Sequence, residues 1–213
     1  MTTETMTIHE GLSTLKTLNK RIEKEIRGSI FVVSNKHSNT KISGKSIEEY
    51  SDGIKAQYQS VTDMIKRREA LKRAITLSNA VTKITINGTE MTVAEAIEYK
   101  NTGIDFKKSL LDDITEQYSD VTSEVNNNNG DRLEAKADDY VQRMFGNKES
   151  GTDHTVISKA KQEFITNNTL DLIDPLNLSK VIAELKDEID AFESKVDSAI
   201  SVSNALTTIE FQY

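Results

Sequence analysis

The densest chemistry in the chain is Lys66-Arg67-Arg68-Glu69-Ala70-Leu71-Lys72-Arg73, a stretch of net charge +4. Guanidinium groups grip phosphate and carboxylate oxygens in pairs, so Lys66, Arg67, Arg68 and Arg73 are the residues that would hold an anionic, nucleotide-like ligand. The plainer reading is an exposed helix face laced by i to i+4 pairs, and the sequence favours it. Other candidates are weaker. His9, His37 and His154 lie on separate elements without metal-ligand spacing. Asp112-Asp113 and Asp138-Asp139 read as acid pairs on solvated helix faces. There is no Gly-rich phosphate loop and no Gly-x-Ser-x-Gly elbow. With no Cys in the chain, thiol nucleophiles, thiolate metal sites and disulfides are all excluded. Asn87-Gly88-Thr89, Asn167-Asn168-Thr169 and Asn177-Leu178-Ser179 match the glycosylation pattern, and chance accounts for them. The expectation is a protein that is not an enzyme and uses no metal or cofactor.

Composition narrows the class. The chain has 213 residues, a net charge of −7, 29% charged and 36% hydrophobic residues, nine Gly and one Pro. A single Pro argues against turn-rich sandwiches and barrels. Many charges with few aromatics suit long amphipathic helices with narrow apolar stripes. The negative balance disfavours nucleic acid. No apolar run reaches the length of a membrane span, and residues 1–10 lack the pattern of a secretory leader. A soluble, intracellular protein is expected.

Three start signals of the form Ser/Thr-x-x-Glu, at Thr7, Ser46 and Thr92, predict three helices. The first carries Ile8, Leu12, Leu15, Leu18, Ile22 and Ile26 on one face and ends at Gly28. Ile30-Phe31-Val32-Val33 then reads as a strand that Thr40–Ser43 can pair with, a hairpin near residues 30–43. The second helix runs from Ile47 to about Ser78, roughly 50 Å at 1.5 Å per residue. Thr82–Ile86, the Asn87-Gly88 turn and Thr89–Met91 form a second hairpin over residues 82–91. The third helix keeps its phase past Asn126–Gly130 and is expected to continue to about Phe145. A polar loop over Gly146–Asp153 precedes a shorter helix from about Thr155 to Asn167. Asp174-Pro175 then suggests an N-cap with Pro at the first helical position. Leu178, Ile182, Leu185, Ile189, Phe192 and Val196 alternate spacings of four and three, a coiled-coil seam that predicts self-association. A C-terminal strand over 207–212 closes the chain.

Residues 74–86 repeat at 199–211, with seven of thirteen positions identical. Each copy sits where a long helix passes into a strand, and Asn79 and Asn204 suit a left-handed helix end. This predicts two helices delivering strands to one small sheet. The basic stretch before the first copy faces an acidic one before the second: residues 184–197 are net −4. The two either pair or remain solvated faces.

Ser78-Asn79-Ala80-Val81-Thr82, the Gly88 turn and Thr92-Val93-Ala94-Glu95-Ala96-Ile97 resemble a run in small helical proteins known as septicolysin-like. The wider layout is similar to helical proteins encoded by phages of low-GC bacteria. The resemblance implies a helical fold and a phage or prophage origin. A thiol-dependent cytolysin activity is not carried over, because the chain has neither thiol nor membrane-inserting stretch. Together these readings predict a mainly α, elongated antiparallel helical bundle with a small antiparallel β-tip, folded as a single domain over 1–213. The expected role is a virion-associated assembly protein. Its expected partners are copies of itself and other virion proteins, and its expected location the host cytoplasm before assembly, then the virion. Sequestration of an anionic nucleotide-like ligand is the alternative.

Overall fold

A computed structural model describes residues 2–146 and 154–213. The fold is mainly α with small antiparallel strand pairs. In chain order the elements are β1 (Thr3–Thr7), α1 (Ile8–Gly28), β2 (Lys41–Ile42), β3 (Lys45–Ser46), α2 (Ile47–Val81), β4 (Lys83–Ile86), β5 (Thr89–Thr92) and α3 (Val93–Glu98). A π-helical turn (Tyr99–Gly103), α4 (Ile104–Asn128), α5 (Asp131–Phe145), α6 (His154–Asn168), α7 (Leu178–Leu206) and β6 (Thr208–Gln212) follow. The chain divides into two compact units, residues 1–103 with 191–213 and residues 104–190, where the sequence reads as one body.

The first unit is built on the start signals. Thr7 and Thr92 each accept a hydrogen bond from the N–H of the Glu three residues on, and that Glu accepts one back from the cap N–H. Two otherwise orphaned donors are satisfied at each helix start. The backbone bond also holds the carboxyl groups of Glu10 and Glu95 below the usual carboxylate range. The main core joins Ile8, Leu15, Leu18 and Ile22 of α1, Leu71 and Ile75 of α2, and Ile209 and Phe211 of β6.

The expected single sheet is replaced by three separate antiparallel pairs, β1·β6, β2·β3 and β4·β5. The Asn-Gly turn pairs β4 with its own neighbour in sequence. β6 takes β1, a strand that the sequence did not signal because Thr3-Glu4-Thr5-Met6-Thr7 contains one apolar residue. The hairpin expected near 30–43 also moves. Ser43 (φ 49°) and Gly44 (φ 85°) form the left-handed pair that a tight turn requires, closing β2 on β3, and Ile30–Val33 joins no sheet.

The two strand pairs of the repeat are nevertheless equivalent. Thr92 faces Lys83 and Thr7 faces Thr208, so the β4·β5 and β6·β1 registers coincide once 74–86 is laid on 199–211. The N–H of Val93 donates to the Thr82 carbonyl, and that of Ile8 to the Thr207 carbonyl, both at 2.9 Å. Thr82 and Thr207 likewise donate to Ser78 and Ser203. Met6-Thr7-Ile8-x-Glu10 thus matches Met91-Thr92-Val93-x-Glu95, and β6·β1 is a hairpin without a covalent turn. Its open end is closed by Thr2 and Tyr213, whose backbones exchange hydrogen bonds at 3.0 and 3.3 Å. Asn79 and Asn204 are not the left-handed helix ends that the sequence suggests. Each helix runs two residues further, α2 leaves through the extended Thr82, and neither exit contains a positive-φ residue.

In the second unit the third helix does not continue. It stops at Asn128, and Gly130 (φ 57°) redirects the chain into α5. The Asn129 amide donates to the Leu170 carbonyl and accepts from its N–H, both at 2.9 Å, which pins the break. α5 then packs on α6, with Tyr140 and Phe164 stacked 4.7 Å apart. Pro175 is not the first residue of α7. It sits in a preceding turn, Asn177 takes φ 55°, and the helix opens at Leu178, whose N–H donates to the Asp174 carboxylate at 2.8 Å. The polar loop expected over Gly146–Asp153 lies, from residue 147 on, outside the described residues.

Candidate interaction surface

Part of the basic cluster is engaged within the chain. Arg67 donates to the Glu4 carboxylate at 2.8 Å and lies over the Tyr213 ring at 5.7 Å. Arg68 donates to the Asn19 side chain at 2.7 Å. Lys66 sits 3.8 Å from Asp63, and Arg73 is exposed. Two of the three guanidiniums are therefore occupied within the chain. Nor does the basic stretch take its partners from α7. Asp197 of α7 pairs with Lys100, and Glu188 pairs with Lys107. Asp138 pairs with Lys161 at 2.5 Å. Among the described residues no group of three or more His, Asp or Glu could hold a metal ion, and no helix is long and apolar enough to cross a membrane.

Glu4 ties the open end of the β6·β1 pair to α2. Its carboxylate accepts from Arg67 and from the Tyr213 hydroxyl at 2.7 Å. Burial alone would raise its pKa; the two hydrogen bonds and the Arg67 charge outweigh that and lower it. The same bond to Glu4 raises the Tyr213 phenol. A carboxylate whose folded pKa is depressed contributes stability that is present above its unfolded pKa, about 4.3, and is lost as pH falls through the folded value. Glu4→Gln is therefore expected to lower stability at pH 7 and to remove part of the acid-side slope. Urea midpoints of the two proteins, measured from pH 7 to pH 3, should converge at the acid end.

The coiled-coil seam divides in two. Ile189, Phe192 and Val196 are buried within the chain, and Phe192 meets Tyr99 edge-on at 4.8 Å. That half of the seam is consumed by intrachain packing and offers nothing to a second copy. Leu178, Ile182 and Leu185 are half-buried.

Open apolar surface lies elsewhere, at the ends of the two repeat helices. Leu77 and Val81 on α2 are 63% and 74% exposed, and their repeat equivalents on α7, Val202 and Leu206, are 55% and 78% exposed. Beside the second pair is a groove of about 660 Å³ between β4 and the C-terminal half of α7, with Ile84, Ala199, Val202 and Leu206 among its apolar lining residues and Ser198 and Ser203 among its hydroxyls. The groove holds no cluster of ionisable groups suited to acid–base work. Its chemistry is that of a contact surface. The 74–86 and 199–211 repeat was the sequence signal for it, although periodicity alone did not show that these apolar positions face solvent.

Comparison with family models, curated proteins and solved structures finds no match for this chain.

Proposed function

We propose that this chain is a non-enzymatic structural or assembly protein, a phage or prophage virion component that works through contacts with copies of itself and with other virion proteins. The observation that carries this reading is the matched pair of exposed apolar helix ends, Leu77/Val81 and Val202/Leu206, the second opening on the β4–α7 groove. Side chains of this size left in water at equivalent positions of a repeat favour burial against another protein, at roughly 25 cal/mol per Å² covered. The occupied Arg67 and Arg68 count against the alternative of nucleotide sequestration. Before assembly such a protein would reside in the host cytoplasm.

Light scattering across the micromolar range is expected to show concentration-dependent self-association. Val202→Lys with Leu206→Lys should return a monomer without lowering the melting temperature, because both sites are already exposed. A wild-type monomer at tens of micromolar would remove the self-association part. Absence of the chain from purified particles by mass spectrometry would remove the virion part.

A further inference from the structure

The connection between α1 and α2 combines two properties. Ile30, Phe31, Val32 and Val33 are four consecutive apolar residues, all at least 40% exposed. From Ile26 to Ile47 the chain carries Arg27, Lys36, Lys41 and Lys45 and no Asp or Glu, within a protein of net charge −7. Soluble proteins seldom leave such a run open unless it meets a partner.

The backbone there is also free. Among the described residues, no hydrogen bond within the chain uses the N–H or carbonyl groups of Ile30 to Ser34. The segment is held in place all the same. Phe31 meets Tyr58 of α2 edge-on at 6.3 Å, and Ile30 lines a cavity of about 130 Å³ with Tyr50 and Ile54. Val32, by contrast, is 84% exposed. An ordered segment with β-branched side chains and unpaired amides is a template for strand addition.

We infer that Ile30–Ser34 docks an extended acidic segment of a partner protein, which adds to it as a β-strand and places carboxylates against Arg27, Lys36 and Lys41. Glu49 at the start of α2 lines the same cavity as Ile30, yet residues 20–55 as a whole, with Glu23, Glu25, Glu48, Glu49 and Asp52 counted, remain net +3. A second copy of the same segment is a poor occupant, since it brings the same four cations. A lipid surface is also a poor one, since unpaired backbone groups are costly in hydrocarbon. The inference goes beyond the assembly role above and does not require self-association.

The test uses the whole 213-residue chain and a synthetic blocked peptide of alternating Glu and Val, with a Lys-Val peptide as control. The Glu-Val peptide is expected to perturb and protect the amides of residues 30–34 in nuclear magnetic resonance and hydrogen exchange. Its affinity should fall at least tenfold between 50 and 500 mM salt, as charge-assisted contacts do. Val32→Asp should weaken it at least tenfold without changing the melting temperature, whereas Val202→Asp should leave it unchanged. No perturbation at 30–34, equal binding of the Lys-Val peptide, or binding of phosphatidylserine vesicles in place of the peptide would each overturn the inference.

Discussion

Leu71→Ala is expected to destabilise the first unit by about 2–5 kcal/mol, through lost transfer energy and the cavity left behind. Leu71 is fully buried, and it joins the α1 stripe to Ile75 and to the β6 residues Ile209 and Phe211. No single neighbour can fill the space, because α1, α2 and β6 all converge there. The loss is a large part of the 5–15 kcal/mol that holds a typical domain folded. Hydrogen exchange at α1 amides reads the first unit by itself, which avoids assuming that two units unfold together. A change below about 1 kcal/mol would mean that these three elements do not share one core.

Gly103→Ala is the second large effect. A Cβ on Gly103 would lie 2.5 Å from Tyr99 Cδ2 and 3.1 Å from Cε2, a clash with the body of a ring. Either Tyr99 turns away and loses its edge-on contact with Phe192, or the π-helical turn rearranges. We expect a net loss of about 1–3 kcal/mol, after the gain of up to ~1 kcal/mol that Ala normally brings to a helix. The effect must depend on the ring. In a Tyr99→Ala background the Gly103→Ala change should cost nothing further, and that non-additivity separates the clash from a general backbone effect. Equal costs in both backgrounds would refute it. Gly11 offers the contrast: a Cβ there meets the Cδ1 ends of Ile75, Leu71 and Ile209 at 3.2, 3.3 and 3.6 Å, and its equivalent in the repeat is Ala96, which is fully buried.

The basic cluster shows how a local pattern misleads. Lys66 to Arg73 offers an anion site as its sharper reading because five cations fall in eight residues against the single acid Glu69. The partners of Arg67 and Arg68 are Glu4 and Asn19, 63 and 49 residues away. Glu4 itself sits on a strand without an apolar run, so no periodicity could have placed it. The seam is ambiguous for a related reason: a four-three stripe states that a face must be buried, and not whether the burial is within the chain or between copies. Phe192 and Val196 found theirs within it.

Much of what neighbours a few residues apart decide was legible in the chain alone. The caps at Thr7, Ser46 and Thr92, the Asn87-Gly88 turn, the α1 stripe and the start and end of α6 follow from hydrogen bonds and backbone preferences that close within a turn or two. Tertiary structure alone decided that β6 pairs with β1, that Asn129 fastened to Leu170 pins the break in the third helix, and that Tyr99 packs edge-on against Phe192. These outcomes rest on groups brought together from far apart in the chain, whose contact energies exceed the small local preferences that a sequence displays.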